Sequence, residues 1–394
     1  MVLVGVRPRR IPEWVWAAAG AVVLLLAGAE PLRAALAAVG AQWNVLLFIL
    51  ALMAISASCE AAGVFEWIAD AILERGGGSR RRLFVVLFAA GAALTIVLSN
   101  DATAIVFTPI VYRAIAKRGI AVKPYLYACT FVADTASFGL PFSNPANLLV
   151  IPRPQLVSFV MHLGPPMALA LAINLGVFLV VFRSALDGTY APAAAVQPTR
   201  RVRDTLVAML LVAAAYVVAL LYDVPLGPVA LAGAVLVALV ANSGVRTVAR
   251  SVAWPTLGLL AGMFVLLDAV TRQGAVPLAL AGLRDAAHDG RLFALLAATF
   301  GSALASNLLN NLPVAVISGT IVSHGGFPTL AYPFVAGVDL GPNLTTTGSL
   351  ATILWLSAVR ARGVDVSPLE YLRLGLAVVP AMLLTTTLWL WFVG

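Results

Sequence analysis

From Leu83 to Val111 the chain stays apolar for longer than the ~18 residues that mark a membrane-crossing helix, yet its midpoint reads Ser99-Asn100-Asp101-Ala102-Thr103. An unpaired amide, hydroxyl or carboxylate in hydrocarbon costs several kcal/mol, so a polar cluster at that depth needs a functional or structural reason. A second cluster, Ser306-Asn307-Leu308-Leu309-Asn310-Asn311, follows about two hundred residues later, again between apolar runs. Two such clusters in corresponding halves suggest a transporter whose binding site lies at interrupted helices.

Composition narrows the class. Hydrophobic residues make up 61% of the chain and charged residues 11%, which no ordinary soluble domain shows. Alternating strands of the barrel type are absent, so the spans are helical. The net charge of +8 rests on 23 Arg and 2 Lys, which sit in short loops. Loop cations follow the positive-inside rule, and no nucleic-acid partner is implied. Met1 to Arg10 is basic but lacks a small-residue cleavage site, so it reads as the start of a retained, cytoplasmic N-terminus. Cys59 and Cys129 have no paired spacing, hence no disulfide framework, and no metal or cofactor motif is present.

Taken in order, the chain predicts an all-α polytopic membrane protein of two inverted repeats, with about nine or ten spans plus two re-entrant helical hairpins. Residues 1–182 form the first repeat, with a hairpin over 83–118 and a discontinuous helix over 124–151. Residues 183–204, rich in Pro and Arg, read as a cytoplasmic linker. Residues 205–394 form the second repeat, with a hairpin over 292–322 and a discontinuous helix over 329–359. The breaks fall where Gly139, Pro141 and Pro145, and later Gly341 and Pro342, remove backbone donors or helical freedom. Nineteen of the 25 Lys and Arg collect in the loops marked by Arg7, Arg80, Lys123, Arg203, Arg250 and Arg362, which are therefore expected on the cytoplasmic side of the inner membrane. On that topology the two hairpins open to opposite sides. Spacing agrees: Asp134 to Asn144 and Asp339 to Ser349 are both ten residues, and Phe131-Val132-Ala133 matches Phe334-Val335-Ala336. Asn100 precedes Asp134 by 34 residues and Asn307 precedes Asp339 by 32.

With these residues in view, the chain resembles the arsenite/antimonite efflux permeases of the ion transporter superfamily. The match runs through Gly63-Val64-Phe65-Glu66-Trp67, Ser99-Asn100-Asp101 with Thr108-Pro109, Ala133-Asp134-Thr135-Ala136-Ser137 with Ser143-Asn144, and Asn310-Asn311-Leu312-Pro313. Its most specific part is Asp339-Leu340-Gly341-Pro342 through Gly348-Ser349-Leu350-Ala351-Thr352. The run Pro141 to Asn147 is richer in proline than that pattern. The resemblance implies secondary efflux of arsenite and antimonite, in exchange for protons, and arsenical resistance. It leaves open a soluble arsenite-stimulated ATPase as a cytoplasmic partner.

The residues suit an uncharged polyol-like solute. The substrate set is Ser99, Asn100, Ser143, Asn144, Asn147, Ser306, Asn307, Asn310, Asn311, Thr347, Gly348 and Ser349, all amides, hydroxyls or exposed backbone with no Lys or Arg among them. Trivalent arsenic in neutral water is an uncharged trihydroxide, which such groups can bind. The expected proton carriers are Asp134, Asp101 and Asp339, where desolvation and nearby donors oppose one another. Simpler roles compete: Ser99 and Asn100 as helix caps, Asp101 as an offset to a helix dipole, Glu60 as a snorkelled span-end residue, and Glu370 with Arg373 as an i,i+3 pair. The alternative functions are a sodium/proton antiporter or a sodium-coupled carboxylate carrier. A membrane-embedded enzyme would need paired catalytic groups, and none is seen.

Overall fold

The computed structural model describes residues 13–191, 196–252, 254–272 and 275–394. Met1 to Arg10, with Arg7, and Pro192 of the predicted linker lie outside them. The described residues form helices with no extended strand, joined by one isolated antiparallel bridge between Ser79 and Thr189. Among them, five helices are long and apolar enough to cross a membrane, and seven shorter apolar ones accompany them.

The first half comprises α1 (Glu13–Leu26), α2 (Leu32–Ala41), α3 (Trp43–Ala62) and α4 (Val64–Arg75). Next comes α5 (Arg80–Val97), started by the Ser79 hydroxyl, which accepts from the Arg82 N–H at 3.3 Å. The chain turns at residues 98–101, passes through a π-helical stretch, Ala102–Phe107, and continues as α6 (Thr108–Ala116). A π-helical turn marks a local departure from the i→i−4 ladder, often at functional sites. Then follow α7 (Lys123–Thr135), an unwound segment, the short α8 (Pro145–Val150) and α9 (Leu156–Val181).

The second half starts with α10 (Arg200–Leu221), capped by Thr199, so Arg200 to Asp204 belong to a helix and not to the predicted linker. It continues through α11 (Leu226–Val240), α12 (Val245–Ser251), α13 (Trp254–Arg272) and α14 (Ala275–His288). The second hairpin is α15 (Arg291–Leu309) and α16 (Asn311–His324). The broken helix is α17 (Ala331–Leu340), a 3₁₀ turn over Gly341–Leu344, and α18 (Leu350–Arg360); α19 (Pro368–Val393) ends the chain.

The halves interlock. The π-helical stretch and α6 pack on α18, while α16 packs on α8, so the second arm of each hairpin rests on the other half's broken helix. The α16–α8 approach is close enough that a Cβ at Gly319 would run into the Leu149 carbonyl. Helices α3 and α11 pack closely on each other, as do α1 and α13.

Contacts sort the loops into two ends. At one, the Tyr125 hydroxyl donates to the Arg80 carbonyl at 3.0 Å, and Tyr112 to the Arg362 carbonyl at 3.2 Å. Lys123 pairs with Glu370 at 3.0 Å, so Glu370 takes that partner in place of Arg373. Tyr190 donates to the Leu73 carbonyl at 2.7 Å. Burial pushes its phenol above the ordinary value, opposed by the Gly78 backbone and by the charges of Arg118 and Arg82. The Tyr125–Arg80 bond thus holds the start of the segment 80–118 beside the chain that follows its end. Twenty residues along α19, or ~30 Å at 1.5 Å per residue, the Leu390 carbonyl accepts from Arg291 at 3.2 Å. At that far end Tyr332, after the second hairpin, also meets Ser158 at 2.7 Å and stacks on His162.

Candidate functional site

Helix ends build the centre. The Ser99 hydroxyl accepts from the Ala102 N–H at 3.3 Å, and Asn310 Oδ1 from the Leu312 N–H at 3.3 Å. Asn144 Oδ1 caps α8 through the Ala146 N–H at 3.0 Å, and the Ser349 hydroxyl caps α18 through the Thr352 N–H at 3.0 Å. These caps satisfy backbone donors that a helix leaves open at its first turn. Asn310 holds φ at +78°, a left-handed conformation that Asn tolerates better than most residues.

Tip and break are joined in the same way in each half. The Asn100 N–H donates to the Ser143 carbonyl at 3.2 Å, and the Asn311 N–H to the Gly348 carbonyl at 2.9 Å. Equivalent bonds thus match Asn100 with Asn311, four residues beyond the Asn307 suggested by spacing. A central cavity of about 20 Å³ lies between them, lined by Asn100, Asp101, Asn144, Asn311 and Ser349 together with Thr256 and apolar neighbours.

The two break aspartates are bound crosswise. Asp134 Oδ2 accepts from Ser349 at 3.4 Å and Thr352 at 3.2 Å, both in the second half. Asp339 accepts from Ser137 at 3.0 Å and from the Asn144 amide at 2.8 Å, both in the first half. Both aspartates are fully enclosed, and Asp134 Oδ1 has no hydrogen-bond partner, although the Asn100 side chain lies beside the carboxylate. A buried carboxylate without a cation depends on such donors to remain ionised.

Other candidate residues have mainly architectural contacts. The Asn147 amide donates to the Ser137 and Leu140 carbonyls at 2.9 and 3.0 Å, holding the unwound segment. Asn307 donates to the Ala303 and Gly341 carbonyls at 2.8 Å each and accepts from Thr345 at 2.6 Å. Ser143 donates to the Ile96 carbonyl at 3.0 Å. Ser306 is buried, Thr347 is exposed beside Thr345, and Gly348 passes so close to Pro342 that a Cβ there would meet its Cα at 2.5 Å. Ser137, Thr352 and Thr256 are site residues that the sequence did not assign, although Ser137 and Thr352 lie in the segments that carry the resemblance. Ser137 and Thr352 each stand three residues beyond a chosen residue, Asp134 or Ser349, and that hydroxyl spacing was the available signal.

A larger cavity of about 180 Å³ adjoins the central one, running from Glu60 and Ser56 on α3 to Ser99 and Asp101. Neither cavity has Lys or Arg in its lining. Among the described residues no group of His, Cys, Asp and Glu could hold a metal ion, and both cysteines are free and buried.

Polar side chains gathered at interrupted helices, deep in a multi-pass apolar bundle, define a membrane transporter. More narrowly, the chain belongs to the citrate transporter family, which matches residues 1–338. It is 29% identical to the arsenical pump membrane protein of Yersinia enterocolitica over 87% of this chain and 85% of that one. An arsenical pump membrane protein of Escherichia coli is 28% identical over 94% of this chain and 91% of its own length. In fold it is similar to the YdaH transporter of Alcanivorax borkumensis, with a TM-score of 0.58 at 13% identity, covering 96% of this chain and 98% of that one.

Proposed function

We propose that this transporter exports arsenite, and antimonite with it, across the inner membrane in exchange for protons, with its N-terminus in the cytoplasm. The observation that carries the reading is a central cavity lined by amides, hydroxyls and one carboxylate, Asp101, without a cationic side chain. Citrate, for which the family is described, is a polyanion at neutral pH, and a cavity holding the Asp101 carboxylate and no cation would not favour it. An uncharged trihydroxide can instead donate to Asn and Asp oxygens and accept from amide N–H groups. Its relatives named arsenical pump membrane proteins support the same solute.

Two inverted repeats fit the contacts: each hairpin's second arm packs on the opposite broken helix, and the two segments begin and end at opposite ends of the bundle. The substrate set proposed from sequence narrows to the groups at the cavity, namely Asn100, Asn144, Asn311 and Ser349, with Ser99 and Asn310 shaping the tips. Asp134 and Asp339 carry coupling. A proton taken up by either neutralises the carboxylate that accepts from the other half and weakens those charge-assisted bonds, so proton occupancy and the fit between halves are linked.

Everted vesicles test this directly. Arsenite should accumulate when the lumen is acidic and should not respond to a sodium gradient. Accumulation driven by sodium alone, or uptake of citrate with none of arsenite, would turn the assignment to a sodium-coupled carboxylate carrier.

A further inference from the structure

Glu60 lies in the last turn of α3 at the basic end of the bundle, where Ser58 on the same helix meets Ser243 at 3.0 Å. The 180 Å³ cavity begins at this residue and reaches Asp101 at the first hairpin tip. Ile49, Asp101, Pro145, Thr256 and Leu350 line both this cavity and the central one, so the two adjoin. One face of α3 forms the wall, with Ile49, Leu52, Met53, Ser56 and Glu60 at helical spacing. The volume has room for a chain of several waters, and Ser56, Thr256 and Ser99 supply polar stations along an otherwise apolar passage.

We infer that Glu60 is the cytoplasm-side relay for the coupled proton, the outer of two carboxylates on a path through Asp101 to the hairpin tips. This rests on the proton-exchange reading above. The charged groups acting on Glu60 are Glu66 of α4 and Arg113 of α6, which are paired with each other at 3.5 Å. Asp101 faces the same cavity from within. Helix α12, packed on α3, brings Arg246 and Arg250 to this end, and Arg201 of α10 is engaged by the Ala241 carbonyl at 2.6 Å. Glu60 has no hydrogen bond or ion pair of its own among the described residues, so its carboxylate remains available. In the step, a protonated tip carboxylate passes its proton through water to the Glu60 carboxylate, which releases it to cytoplasmic water. One O–H bond breaks as another forms, and no electrons change hands.

Glu60→Gln keeps the shape and removes the proton-accepting site. In everted vesicles it should lower pH-gradient-driven arsenite accumulation at least tenfold. Arsenite–arsenite exchange at equal pH, which needs no net proton movement, should remain within twofold of wild type. Glu60→Asp should restore more than half of the driven rate. Wild-type accumulation by Glu60→Gln overturns the relay, and so does a parallel loss of exchange, which would give Glu60 a structural or solute-contacting role. Should the wild-type protein exchange arsenite yet ignore the pH gradient, the proton-exchange reading fails and takes the relay with it.

Discussion

Asp134 and Asp339 are each held by hydroxyl or amide donors from the opposite half, so their charge state bears on the fit between halves. Asp134→Asn preserves shape but fixes the charge. It should abolish uphill, pH-driven arsenite export while leaving arsenite binding detectable by equilibrium dialysis of the purified protein; undiminished uphill export would remove Asp134 from the coupling path. The asparagines divide by what their amides touch. Asn311 Oδ1 is buried without a partner beside the central cavity, so Asn311→Ala should weaken apparent arsenite affinity about two- to tenfold, the worth of one ordinary hydrogen bond. Asn307→Ala instead strips partners from two carbonyls and the Thr345 hydroxyl. Each buried group left unpaired costs ~1–3 kcal/mol, so that variant should lose folded protein first, seen as a lower melting temperature in detergent. Sequence gave both asparagines the same weight, because a Ser-Asn cluster shows that amides are present and not which way they face.

The breaks were legible at the level of elements because proline and glycine have local consequences. Pro141, Pro145, Gly341 and Pro342 stand where helices α7 and α17 give way to unwound or 3₁₀ backbone. The start of α10 was not, since a basic stretch before an apolar run reads as a loop unless Thr199 is seen to cap it. Packing between elements was also hidden. Gly337 and Gly341, four residues apart, bring α17 against α15: a Cβ at Gly337 would run into the Thr299 carbonyl and Ser302 hydroxyl, and one at Gly341 would meet the Ala303 Cα at 2.5 Å. Small residues at this spacing let helix backbones approach closely within a membrane. Gly341→Val should cost ~1–3 kcal/mol by overpacking and lower both the melting temperature and transport. A variant that melts and transports like wild type would show that this contact has slack.

For the whole molecule, the decisive question is whether the two hairpins enter from opposite faces. Charge counting places Ser79 and Gly119 together, and the Tyr125 hydroxyl beyond Gly119 bonds the Arg80 carbonyl, so the first hairpin should begin and end on the cytoplasmic side. The Arg291–Leu390 and Ser158–Tyr332 contacts occur at the other end of the bundle, on either side of the second hairpin. If the hairpins are opposed, each half presents one tip to the centre while its second arm rests on the partner half, which would give the crosswise aspartate contacts a geometric origin. Cysteines introduced singly as Ser79→Cys, Gly119→Cys, Gly290→Cys and His324→Cys can be labelled with an impermeant maleimide; native Cys59 and Cys129 are buried and should stay silent. The first two should react only in everted vesicles and the last two only in intact cells. If Ser79→Cys and Gly119→Cys label from opposite faces, the first hairpin is an ordinary span. The crosswise contacts would then need an origin other than inverted symmetry.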